Sequence, residues 1–128
     1  MKAVTLRWPL FVKEIIMAKL EAELKGNFEI ILQEINNAVV ANSSTATLED
    51  KSFFKTENSR CAVHVYERYS VTGQSRVSMN VTLLEADGRI FASAITSAGS
   101  QAMIFKINTV GEKSFLDLVK PVFSKYRA

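Results

Sequence analysis

At 128 residues the chain has the length of one ordinary domain, and with 48% apolar and 23% charged residues it has the composition of a globular protein rather than of a disordered chain or a coiled coil. A single cysteine, Cys61, excludes an internal disulfide and points to a cytoplasmic setting, while Lys, Arg, Glu or Asn interrupt every apolar run short of the ~18 residues a membrane span needs. The net charge is +3, of which Lys2, Arg7 and Lys13 against Glu14 place +2 in residues 1–16 and leave +1 for the rest, so the body carries no basic stripe of the kind that binds nucleic acid.

Residues 1–16 read as an N-terminal extension and 17–128 as one α+β domain. Arg7, Pro9, Lys13 and Glu14 interrupt what would be the apolar core of a signal peptide. Lys13-Glu14 can be encoded by a ribosome-binding sequence, and Met17 opens the first patterned segment, so the expectation is a native start at Met17. The alternative is a genuine arm or short helix over Phe11 to Leu20, and the intact mass of the endogenous protein distinguishes the two.

Ala18, Leu20, Ala22 and Leu24 alternate with charged residues at the period of a half-buried strand, which Gly26-Asn27 ends. Asn27 is a fitting N-cap for a helix carrying Phe28, Ile31, Leu32, Ile35 and Val39, with Glu29 near its positive end. After a polar break at Asn42 to Ser44, two short strands are expected, Thr45 to Asp50 and Ser52 to Phe54. Arg60 to Val71 is a longer strand, followed by a turn at Thr72-Gly73-Gln74 and a strand over Arg76 to Leu84. Val77, Met79, Val81 and Leu83 alternate there with Ser78, Asn80 and Thr82, the pattern of an antiparallel sheet with one wet face. Asp87-Gly88 tolerates the positive φ angles of a tight hairpin and predicts Arg89 to Ser97 as the return strand. Ala98-Gly99-Ser100 predicts a turn or bulge before a last strand over Ala102 to Ile107.

Phe115, Leu118, Val119, Val122, Phe123 and Tyr126 form the stripe of an amphipathic helix. Pro121 lies away from the centre of that stripe, which predicts a bent helix curving around the sheet. The fold expected is a curved antiparallel sheet in β-α-β(4-5)-α order with both helices on one face, helix-grip-like or TATA-binding-protein-like.

Three stretches carry a resemblance: Cys61-Ala-Val-His-Val-Tyr-Glu-Arg-Tyr-Ser70, Val77-Ser-Met-Asn-Val-Thr-Leu83 and Ser93-Ala-Ile-Thr-Ser-Ala-Gly-Ser-Gln-Ala-Met-Ile-Phe-Lys-Ile-Asn-Thr109. On these the chain resembles, over about residues 17–126, a family of small uncharacterised bacterial proteins, a domain of unknown function. The resemblance implies a bacterial cytoplasmic origin and supplies no activity, cofactor or catalytic residue.

The chemistry-bearing residues are sparse. Cys61 and His64 lie three apart on a strand and so diverge to opposite faces, which argues against a nucleophile and base pair and for a buried structural cysteine. One Cys and one His cannot supply the ligands of a zinc site, and neither Glu49-Asp50 nor Glu85 with Asp87 has calcium-loop spacing, so no metal, cofactor or catalytic residue is expected. Ser97 to Gln101 has the look of an anion-binding turn without a P-loop pattern, and Gly111 stands alone before a helix; both read as connections. The most suggestive group is His64, Tyr66 and Arg68 beside Ser78, Asn80 and Thr82 on the next strand. Opposite Cys61, Val63, Val77, Met79 and Val81, these six form either a patch for a small ligand or partner or the ordinary solvent face. The function expected is a non-enzymatic small-molecule-binding or protein-interaction module, self-association included, acting through the open face or a space beneath the C-terminal helix. The alternative is a hydrolase-like enzyme using His64.

Overall fold

The computed structural model describes residues 17–43, 45–69, 76–98 and 115–128. Its elements are β1 (Met17–Leu24), α1 (Phe28–Val40), β2 (Ala46–Lys55), β3 (Ser59–Tyr69), β4 (Arg76–Ala86), β5 (Arg89–Ala98) and α2 (Lys120–Tyr126). All strand pairs are antiparallel, and the order β1-β5-β4-β3-β2 makes one open five-stranded sheet with β4 at its centre and β1 and β2 at its edges. The protein is therefore α+β. Asp87 and Gly88, at φ 55° and 75°, make the two-residue turn between β4 and β5. Among the described residues no helix is long and apolar enough to cross a membrane.

The helix α1 starts where the sequence places a cap: the side chain of Asn27 accepts from the Ile30 N–H at 2.9 Å, satisfying one of the free donors of the first turn. Its buried stripe is Phe28, Ile31, Ile35 and Val39, and it meets Leu20 and Leu24 of β1, Met79, Val81 and Leu83 of β4, and Ile90, Ala92 and Ala94 of β5 in one continuous core. Phe115, Leu116, Val119, Val122 and Phe123 complete that core. Each such side chain contributes about 1.5–3 kcal/mol when fully buried. The two helices are tied together by Glu34, which accepts from Lys125 at 3.1 Å and from the Tyr126 hydroxyl at 2.5 Å. The tail then runs along the β1 edge, where Ala128 N–H donates to the Glu23 carbonyl at 2.9 Å and Lys25 N–H to that of Tyr126 at 2.7 Å. Gly26, at φ 152°, lets the chain turn between β1 and α1 beneath the Tyr126 ring.

Two elements differ from expectation. The segments anticipated as separate strands at 45–50 and 52–54 are one strand, β2, because a bulge at Glu49 absorbs the irregularity: Leu48 pairs with Tyr66 and Asp50 with Val65, leaving Glu49 unopposed. The C-terminal segment is broken rather than bent. Residues 115–117 are helical, the turn closes through Leu118 N–H to Phe115 O at 3.2 Å and Val119 N–H to Leu116 O at 3.1 Å, and α2 begins at Lys120 with Pro121 in its first turn. Pro121 has no N–H to continue the ladder, and the first turn is where that lack costs nothing. The turn expected at 72–74, the connections around 99–101 and Gly111, the strand expected at 102–107 and the extension 1–16 lie outside the described residues.

Candidate functional site

Residues directly opposite each other in an antiparallel pair share a face. Arg68 pairs with Val77, Tyr66 with Met79, His64 with Val81 and Ala62 with Leu83. His64, Tyr66 and Arg68 therefore lie on the helix-covered face, while Ser78, Asn80 and Thr82 lie on the open face beside Glu67, Val65 and Val63. The six-residue patch anticipated from sequence is divided between the two sides of the sheet. The cause is the pairing parity: even-numbered residues of β3 meet odd-numbered residues of β4, so the apolar row of β4 sits beside the His64 row. Side-chain volume favours this register, since Tyr66 is the largest wholly buried side chain among the described residues. Cys61, anticipated as buried, is half-buried on the open face. It and His64 do point apart.

On the open face, Ser78 Oγ lies 3.2 Å from Ser97 Oγ, and the Thr82 hydroxyl donates to Asn80 Oδ1 at 3.1 Å. On the covered face, the Arg68 guanidinium stacks 4.7 Å from the Phe115 ring centroid, where burial pulls its pKa down.

His64 and Tyr66 form the polar part of the interior. The Tyr66 hydroxyl donates to Asn36 Oδ1 at 2.9 Å and lies 3.0 Å from His64 Nδ1. With its proton committed to Asn36, the Tyr66 oxygen accepts from His64, which assigns a neutral imidazole protonated at Nδ1. His64 Nε2 is left as an acceptor without a hydrogen-bond partner among the described residues, although His64 is only 8% exposed. Burial, and then the Lys51 charge on the neighbouring strand, hold the His64 pKa below its ordinary value. Burial pushes the Tyr66 phenol well above its own, so it remains a neutral donor.

His64 lines a groove of about 700 Å³ between α1 and strands β2 and β3. Phe28, Leu32, Leu48 and Phe53 supply apolar walls, and Gln33, Asn36, Lys51 and His64 supply polar groups. Phe28 and Phe53 meet edge to face at 6.4 Å across its end. There Arg60 covers the Phe28 ring at 4.5 Å and bridges Glu29 at 3.2 Å to Glu85 at 2.7 Å. Lys51, paired in register with His64, makes no ion pair among the described residues. Of the six residues anticipated from sequence, His64 lines the groove and Tyr66 holds it in place; Arg68, Ser78, Asn80 and Thr82 do not line it. Sequence reasoning missed Gln33, Asn36 and Lys51, for which the sequence offers no signal beyond a Phe-Phe pair next to a charged run at Glu49 to Lys51. Among the described residues no group of three or more His, Cys, Asp or Glu is placed to hold a metal ion.

Over residues 17–127 the sequence matches a family of unknown function (DUF6054). The chain belongs to that family. As a DUF6054 member it is similar in fold to a hypothetical protein from Helicobacter pylori seen by crystallography, with a TM-score of 0.52 and 11% identity over 99% of this chain and 98% of that one. A crystal structure of a Mycobacterium smegmatis protein matches at a TM-score of 0.30 and 11% identity, over 88% of this chain and 93% of that one. No curated protein matches.

A second surface of this DUF6054 member stands out on the open face. Phe54, Cys61, Leu84, Phe91 and Glu23 form one row across all five strands, and Phe54, Leu84 and Phe91 are 69%, 38% and 42% exposed. A parallel row runs Asp50, Val65, Asn80, Ile95, Lys19, with the acid at one edge and the base at the other.

Proposed function

We propose that the protein is a non-enzymatic binding module whose groove between α1 and strands β2 and β3 receives a small molecule. The observation that carries this reading is the Nε2 of a nearly buried histidine, without a hydrogen-bond partner among the described residues and facing a groove with apolar walls. Catalysis lacks support on the same geometry, since Cys61 is across the sheet from His64. The β-α-β(4)-α order of the described elements supports the helix-grip-like and TATA-binding-protein-like analogies equally. A free Cys61 is in keeping with a bacterial cytoplasmic setting. Titration of the isotope-labelled full chain with a fragment library tests the reading. Hits should perturb amide signals of α1 and β2 around the groove and disappear in Gln33→Trp, which fills the mouth; hits only elsewhere would refute it.

Self-association through the open face has its own support. A two-fold axis along β4 would set the Phe54 to Phe91 row against its copy and bring Lys19 of one copy over Asp50 of the other. Sedimentation of the wild type beside Phe54→Ser/Phe91→Ser decides it: a dimer that the double variant dissociates supports it, and a wild-type monomer ends it.

A further inference from the structure

We infer that the ligand of the groove is an organic monocarboxylic acid with an apolar body, its carboxyl group seated between Lys51 and Nε2 of His64. This inference rests on the groove reading above and names the chemistry the groove selects.

The walls set the body of the ligand. Phe28, Leu32, Leu48 and Phe53 offer apolar surface along a volume of about 700 Å³, and only an apolar group recovers free energy by covering it. The polar groups set the head. Lys51 brings a cation without a partner among the described residues, while the groove's carboxylate, Glu29, is already engaged by Arg60 at 3.2 Å. An anion is thus favoured at Lys51, and a second cation is not.

The histidine adds a proton. Around the His64 ring stand Lys51 from β2, the Tyr66 hydroxyl from β3 and Asn36 behind that hydroxyl from α1; Val81, its register partner on β4, is apolar. Nδ1 is committed to Tyr66, so any ligand contact uses Nε2. A carboxylate arriving at a neutral imidazole finds a lone pair facing a lone pair, an arrangement that one added proton converts into a strong charge-assisted hydrogen bond. Whether that proton rests on Nε2 or on the carboxyl oxygen, the bound state holds one more proton than the free partners at neutral pH. Lys51 opposes protonation of His64 in the free protein, and an anion between them cancels that repulsion. Binding of the acid and uptake of the proton therefore reinforce each other. A neutral amide of the same shape gains neither the attraction to Lys51 nor the proton.

His64 is the chain's single histidine, so its ring signals report on the site without ambiguity. The experiment titrates the full chain with saturated monocarboxylates from acetate to decanoate and with phenylacetate, each beside its primary amide, following the His64 ring by NMR across the pH range. The expected result is saturable binding that strengthens with apolar length, an upward shift of the His64 titration on adding the acid, and an affinity that rises by up to about tenfold per unit fall in pH between the free and bound pKa values. Lys51→Met should weaken the acids by about two- to fivefold and leave the amides unchanged. Acids that bind without moving the His64 titration, or amides that bind as tightly with the same pH dependence, overturn the assignment of ligand class while the groove reading stands. A groove that takes neither acids nor amides overturns the ligand class, and the fragment titration then decides the groove reading by itself.

Discussion

Tyr66 is wholly enclosed, yet its hydroxyl joins two other side chains, Asn36 and His64, in a short relay between α1 and β3. Tyr66→Phe keeps the ring and deletes the oxygen, leaving Asn36 Oδ1 and His64 Nδ1–H unsatisfied. The expected cost is about 1–3 kcal/mol, read as a lower urea midpoint with an unchanged slope. His64 itself makes stability depend on pH. Its folded-state pKa lies below the unfolded value, so the unfolded chain binds the proton more readily. Its contribution is fully present above about pH 6.5 and is lost as pH falls from there through the lower folded pKa. Glu34 and Glu23, their pKa values lowered by hydrogen bonds from Tyr126 and Arg89, keep their contribution above about pH 4.5 and lose it only as pH falls below that, in a separate window. Urea unfolding between pH 7.5 and 5 should therefore show a decline that His64→Gln flattens. Residue chemistry was legible in the sequence at His64 and Tyr66, which stand out as a polar pair on a strand. Their face was not, because Ala62-His64-Tyr66 and Cys61-Val63-Val65 are both credible inward rows and only the pairing with β4 chooses between them.

Local signals served well where one residue type answers one backbone requirement. Asn27 caps α1, and Asp87-Gly88 turns β4 into β5. The apolar stripe at 115–126 identified Phe115, Val119, Val122 and Phe123 as buried but missed Leu116 and the shape of the backbone, because a kinked helix and two short helical pieces bury nearly the same side chains. Pro121→Ala separates these cases. With Pro121 in the first turn of α2, the substitution should lower stability by no more than about 1 kcal/mol, through a looser unfolded chain. A proline inside a continuous helix would instead give a gain of up to about 3 kcal/mol on replacement. Gly26 makes a sharper demand. A Cβ there would meet the Tyr126 ring at 3.0 Å and Ile31 at 3.3 Å, on a backbone at φ 152°. Gly26→Ala should cost about 1–3 kcal/mol and lower the thermal midpoint by several degrees in calorimetry.

For the whole molecule, the meander of β2 to β5 follows from consecutive hairpins, and its α+β class was legible from strand and helix periods alone. The groove was not, because it depends on α1, β2 and β3 meeting in a register that a bulge at Glu49 helps to define. The same topology sets a gradient of local stability. β4 is hydrogen-bonded on both sides beneath the core, whereas residues 49–55 of β2 are exposed along an edge. Native-state hydrogen exchange should find β4 amides opening only with global unfolding and those of β2 opening at lower free energy.

Among the described residues no strand pairs with the outer rim of β2, and a straight open rim is a template on which further chains can line up without limit. The surplus residue at Glu49, followed by the exposed polar side chains of Asp50 and Lys51, spoils the template. Growth of the sheet into ribbons or fibrils along this rim is thereby discouraged.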